Sequence, residues 1–157
     1  MNIPETSMAI VATLAPFTPF LIEVGKTGGK KFAEVIAAKG GESAWKKAQG
    51  VWDKLKNYFK DDREIESAVT MVAAKPEDQT RQTLLVEVLI ARLQENPAFA
   101  NDLYNALGGQ EAVQQVLADR SSWVEDVTQQ MKGKGMQRIE ASEDSVIKGV
   151  KQTMIER

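Results

Sequence analysis

Seventeen consecutive residues, Thr6 to Ile22, carry no charge, and Glu5 and Glu23 bound them. Such a run has to leave water, so it is either the core of a folded domain or a membrane segment. As one straight helix it would extend roughly 25 Å, short of a bilayer core of about 30 Å. Pro16 and Pro19 predict a kink or break. A secretory signal is disfavoured, because no basic stretch precedes the run and no small-x-small cleavage site follows it. The candidate membrane-facing residues are Met8, Ile10, Val11, Leu14, Phe17, Phe20, Leu21 and Ile22. Lys26, Lys30, Lys31 and Lys39 come next, an order that suits an apolar segment with lysines at lipid headgroups. The same run serves equally as the buried first helix of a soluble bundle. The two readings are compatible if the helix stays packed away until triggered.

The 157 residues hold neither cysteine nor histidine. Disulfides, thiol nucleophiles, imidazole bases and the usual transition-metal sites are therefore excluded. The net charge of −2 gives no overall basic footprint for nucleic acid. Charge is unevenly spread, however. Residues 1–60 hold nine lysines against five acids, and residues 61–119 hold four basic against eleven acidic groups. A basic end facing anionic lipid and an acidic middle covering it would follow; two solvated faces of a helical bundle explain the same numbers.

Periodicity predicts helices up to about residue 118. The first covers 6–15 and resumes after Pro19. Phe32, Val35 and Ile36 have helical spacing, and Gly40-Gly41 ends that segment. Trp45, Ala48, Trp52, Leu55 and Phe59 form an apolar stripe over 42–59. Further helices are expected over 62–74, around Ile65, Val69 and Val72, and over 77–95, around Leu84, Leu85, Val88, Leu89 and Leu93. Pro97 stands at a first helical position, and Gly108-Gly109 is a stop. Short connections imply antiparallel neighbours. The fold class is thus all-α, an antiparallel helical bundle over 1–118, followed by a tail over 119–157. Asp61-Asp62-Arg63-Glu64 and Glu77-Asp78 resemble carboxylate clusters, but both stand at helix starts, where acids complement the helix dipole. Gly25–Lys31 lacks the spacing of a phosphate loop. No catalytic, metal or cofactor constellation is present, so an enzyme is not expected.

The tail has an internal repeat. Ser122–Met131 and Ser145–Met154 share S-x-[VI]-x-x-V-x-Q-x-M at an offset of 23 residues. Trp123, Val124, Val127 and Gln129 belong to the first copy, and Ile147, Gly149, Val150 and Gln152 to the second. Gly135, Gln137 and Ile139 lie between them. Stacked in register, the copies would set Glu125-Asp126 against Lys148 and ladder Gln129 on Gln152. Two amphipathic helices joined by a turn at Gly133–Gly135 fit the same spacing. The tail is helical or loose in a lone protomer, and extended if it assembles.

The apolar Met8–Ile22 opening, the Trp45–Phe59 helix and the repeated [VI]-x-x-V-x-Q tail with GxGxQxI between its copies together resemble bacterial signalling proteins of the HeLo/Bell-like class. In that class a helical effector domain carries a C-terminal amyloid signalling motif. The resemblance implies a cytoplasmic cell-death effector of bacterial immunity that moves to the inner membrane. Its implied partners are further copies of itself, an NLR-like or other sensor bearing a similar motif, and anionic lipid; nucleic acid is not among them. A non-lytic soluble adaptor that recruits proteins through its tail is the alternative.

Overall fold

The computed structural model describes residues 1–23 and 27–143, with side chains to 133. Every regular element among them is helical. The chain divides into two compact units, Met1–Arg120 and the segment beginning at Ser121.

In the first unit α1 spans Ile3–Leu14, a 3-10 turn spans Ala15–Phe17, and α2 spans Thr18–Ile22. Helix α3 spans Lys30–Ala38, α4 Gly41–Tyr58, α5 Arg63–Ala74, α6 Gln79–Gln94, α7 Pro97–Leu107 and α8 Gly109–Asp119. The first helix begins three residues earlier than periodicity suggests. Asn2 caps it by accepting the Glu5 N–H at 2.8 Å, Pro4 fits the first turn, and Glu5 adds a favourable charge there. These are polar signals outside the apolar run, so a search for apolar spacing passes over them.

The two prolines interrupt the helix, as their positions predict. Pro16 falls in the 3-10 turn, and helical geometry resumes at Thr18, before Pro19 rather than after it. Pro19 has no N–H to offer the Ala15 carbonyl. The Thr18 hydroxyl donates to that carbonyl at 2.8 Å, and the Thr18 backbone N–H reaches it too. A buried threonine thus supplies the hydrogen bond that the proline withholds.

Side-chain caps open α5, α6 and α7. Asp62 accepts from the N–H groups of Glu64 and Ile65, Asp78 from Arg81, and Asn96 from Phe99. The acidic pairs at 61–64 and 77–78 therefore stand at helix starts. Gly108 closes α7 with a φ of +112°, where a side chain is strained, and α8 begins directly after it.

Helix α1 is the centre of this unit. It packs against α4, α6, α7 and α8, while α2 lies on α5. Ala9, Ile10 and Val11 are each 0% exposed. Three successive residues point in three directions about 100° apart, so α1 is enclosed on all sides over Thr6–Val11, while Ala12 and Thr13 are half-buried. The surrounding helices are amphipathic and turn Trp45, Val51, Leu55, Val69, Val72, Leu85, Leu89, Leu93, Leu103 and Leu107 inward. Leu84, read from the sequence as part of the α6 stripe, is instead exposed. The α6 core face uses positions 82, 83, 85, 86, 88, 89 and 93, which leaves 84 on the outer side.

In the second unit, α9 spans Ser121–Glu143. It runs through Gly133–Gly135, where the two-helix reading had placed a turn. Glycine in a helix costs about 1 kcal/mol relative to alanine, which Lys, Gln and Met neighbours with good helix propensity offset in part.

Candidate functional site

The residues of functional interest in the first unit fall on two adjoining features, the apolar core helix and a basic helix at its end. Of the candidate membrane residues, Met8, Ile10, Val11, Leu14, Phe17, Phe20 and Leu21 are buried in the domain core, and Ile22 is exposed. The segment Ile3–Ile22 has 20 residues and a mean hydropathy of 1.3, long and apolar enough by length and composition to cross a membrane. The hydroxyls of Thr6 and Ser7, also on α1, are buried and have no hydrogen-bond partner among the described residues.

Helix α3 carries Lys30, Lys31 and Lys39 at or beside its ends, all exposed; Lys26 lies outside the described residues. No α3 residue is fully buried. The helix is held chiefly on α4, and one aromatic contact is central to that attachment. The half-buried Phe32 ring meets Phe20 edge-on at 5.1 Å and Trp45 at 4.9 Å, and Trp45 in turn meets Phe17 at 5.6 Å. Gly28 on one side and Gly40-Gly41 on the other adopt positive φ, so glycine turns flank the helix at both ends. The result is a lysine-bearing amphipathic helix pinned by one ring to the apolar run.

Between α3, α4, the α5–α6 connection and the end of α8 lies a cavity of about 990 Å³. Its apolar lining includes Ala12, Ala15, Pro16, Phe17, Pro19 and Phe20. Its polar lining includes Lys31, Lys39, Lys47 and Arg120, together with Glu77, Asp119 and Gln82. Gln82 is 3% exposed and donates to the Pro76 carbonyl, while its own carbonyl oxygen accepts from Arg120 Nη2 at 3.2 Å. Burial lowers the Arg120 guanidinium from its ordinary pKa, although it stays a cation.

A second, shallow depression lies across the molecule's α4–α5 corner, lined by Tyr58, Phe59, Asp62 and Arg92. There Arg92 donates to both Asp62 and Glu64. Asp62 is committed to this pair and to capping α5, and the stacked Tyr58–Phe99 rings (4.0 Å) close one side. These groups are held by structural bonds. Among the described residues no cluster of three acidic side chains is placed to hold a metal ion.

In the tail, the first repeat copy lies within α9. Trp123 and Val127 are buried, Val124 is half-buried and Gln129 is exposed. Gly135, Gln137 and Ile139 belong to the same helix by backbone. Ile147, Gly149, Val150 and Gln152 lie outside the described residues.

The cavity is the feature that sequence reading missed. Its lining comes from five separate segments, and only the alternation of small residues and prolines in Ala12–Pro19 hinted at unfilled space. Comparison with family models, with curated proteins and with solved structures returns no match.

Proposed function

We propose that the protein is a latent membrane-active effector, a cell-death protein of bacterial immune signalling whose apolar Ile3–Ile22 segment is stored in the core of a helical domain. Templated assembly of the C-terminal repeat, seeded by a sensor with a similar motif, brings many domains together at the inner membrane. Lysines 26, 30, 31 and 39 then add roughly 1 kcal/mol each of attraction to anionic lipid. Assembly converts weak single contacts into avid binding.

The observation that supports this reading is the position of the apolar run. It is the one segment of membrane-crossing length and hydropathy among the described residues, and the domain keeps it from water completely along Ala9–Val11. Its release has a large cost. Exposing Met8, Ile10, Val11, Leu14, Phe17, Phe20 and Leu21 to water would cost roughly 15 kcal/mol at about 2 kcal/mol per side chain, comparable with the whole stability of a typical domain, about 5–15 kcal/mol. Release therefore means opening the domain. It becomes favourable only if lipid replaces the lost core around the same side chains.

Deleting residues 1–22 would remove the core together with the membrane segment, so a lock is the cleaner test. Gln114 on α8 donates to Glu5 on α1 at 3.2 Å, at the surface. The chain has no native cysteine. A Glu5→Cys/Gln114→Cys variant bridged by a short bis-maleimide ties α1 to the domain without touching the core. Leakage of anionic vesicles by the assembled, unbridged variant, and its loss on bridging, is the expected result. Equal leakage from both forms would remove the mechanism.

The enclosure of α1 favours a second reading as well, a non-lytic adaptor whose apolar run is simply core. That reading predicts no leakage from any form, with partner recruitment through the tail intact.

A further inference from the structure

We propose that α3 is a detachable amphipathic anchor. It leaves α4 and lies in the headgroup region of an anionic bilayer, with Phe32, Val35 and Ile36 toward the acyl chains and Lys30, Lys31 and Lys39 at the phosphates. The choice of a bilayer as partner rests on the membrane reading above; release of α1 is not required.

Three observations carry the proposal. First, α3 has the pattern of a helix that lies in an interface. Phe32, Val35 and Ile36 stand at i, i+3 and i+4 and share one face, while Ala33, Glu34, Ala37 and Ala38 are exposed. Lys30 and Lys31 open the helix and Lys39 follows its last residue, all three exposed, against Glu34 as the one acid within it. An apolar face with lysines at both ends complements a surface that is apolar beneath and anionic above. A neutral apolar groove on another protein would leave the lysines without counter-charge.

Second, the helix is lightly held. No α3 residue is fully buried, and Phe32, Val35 and Ile36 are only half-buried. Lys31, Val35 and Lys39 border the cavity of about 990 Å³, so the underside of α3 is part-packed. Gly28 has a φ of +92°, and Gly40 and Gly41 have +111° and +79°. Glycine reaches both signs of φ, so rotation at these turns lets the helix swing without strain. The first turn holds two lysines and no acid, a placement that the helix dipole disfavours in water and that anionic headgroups relieve.

Third, detachment acts on the apolar run. Phe32 covers Phe20 at 5.1 Å and Trp45 at 4.9 Å. With α3 in place those two residues are 4% and 8% exposed. Docking of α3 on lipid takes Phe32 away and uncovers Phe20, near the end of the run, at the bilayer surface.

The experiment mixes the full chain with phosphatidylcholine vesicles, with and without phosphatidylglycerol. The chain has no native cysteine, so Ile36→Cys on α3 and Gln115→Cys on α8 each take a single NBD label. The expected result is binding at least about tenfold tighter to the anionic vesicles. Doxyl-lipid should quench the label at 36 and not the one at 115. Lys30→Gln/Lys31→Gln/Lys39→Gln and Val35→Ser/Ile36→Ser should each weaken binding about tenfold or more. Neither variant touches a fully buried residue, and the lysine variant tests the anchor by itself if the other loses helix content. The bridged Glu5→Cys/Gln114→Cys form should bind anionic vesicles like the native chain. Equal binding to both vesicle types, no binding to either, no quenching at 36 in the bound protein, or binding that neither variant weakens would overturn the proposal. Leakage without quenching at 36 would overturn the anchor and leave the membrane reading standing. Quenching at 36 with no leakage from the assembled, unbridged form would support the anchor and remove the release of α1.

Discussion

Arg92 Nε lies 2.6 Å from Asp62 Oδ2, and the same carboxylate caps α5 through the N–H groups of Glu64 and Ile65. One side chain thus joins α6 to the start of α5. The Arg92 hydrogen bond is the main reason that the Asp62 carboxyl is held below the ordinary carboxylate range; burial opposes it, and the two backbone N–H groups add to it.

This fixes the sign of a pH effect. A carboxyl whose pKa is lower folded than unfolded contributes its full stabilisation above the unfolded value, near 3.9. That stabilisation is lost as pH falls through the lower folded value. Stability should therefore decline from about pH 5 downward, and less steeply in Asp62→Asn. Asp62→Asn keeps a capping oxygen and should cost about 1 kcal/mol at pH 7, while Asp62→Ala, which loses cap and pair, should cost about 2 kcal/mol. Urea titrations at pH 7 and pH 3 provide the check. Identical pH slopes for the native chain and Asp62→Asn would refute the assignment.

Thr6 and Thr18 are both fully buried on the apolar run and should respond oppositely to valine. The Thr6 hydroxyl has no hydrogen-bond partner among the described residues, so Thr6→Val removes a buried unmet polar group and should stabilise by about 1 kcal/mol. The Thr18 hydroxyl serves the Ala15 carbonyl beside Pro19, so Thr18→Val should destabilise by about 1 kcal/mol. Thermal melts of the two variants would show shifts of opposite sign.

Gly108 and Gly109 are adjacent and both have positive φ, +112° and +82°. A Cβ on Gly108 would stand 2.8 Å from Ala112 Cβ, whereas one on Gly109 meets nothing within 4 Å. Gly109→Ala should cost about 1 kcal/mol, for backbone strain alone. Gly108→Ala adds a collision in the first turn of α8 and should cost about 2–3 kcal/mol. Equal denaturation midpoints for the two variants would contradict this.

Phe32 carries the aromatic contacts of α3 with Phe20 and Trp45. Each edge-on pair contributes about 0.5–1.5 kcal/mol, so Phe32→Ala should speed α3 amide exchange by about tenfold or more. Exchange in α6, which contains the fully buried Val86, Leu89 and Leu93, should be unchanged. Uniform acceleration in both helices would show that α3 does not open separately.

Much of the helical layout can be read locally. Asp62, Asp78 and Asn96 have the side-chain oxygens that helix starts require, and Gly108 tolerates the backbone that a helix end requires. Apolar spacing identified the inward residues Ile65, Val69 and Val72 of α5 and Trp45, Ala48 and Leu55 of α4, but it passed over the fully buried Val51 and included Trp52 and Phe59, which are half-buried. It failed at Leu84, because the face that a strongly apolar helix buries depends on where its neighbours stand. It placed a turn at Gly133–Gly135, where glycine's weak helix propensity did not prevent α9 from continuing.

The sequence by itself determined that Thr6–Ile22 must leave water and that helices, capped and punctuated by short-range chemistry, follow it along the chain. Hydrogen bonds three or four residues apart and apolar periodicity are local, so the order of residues specifies them. Only the tertiary structure decided that this run is the central helix rather than one face of a pair. It also decided that Ala12, Lys47, Gln82 and Arg120 line one cavity. Those relations join residues up to 108 positions apart, and they depend on which helices meet once the chain has packed.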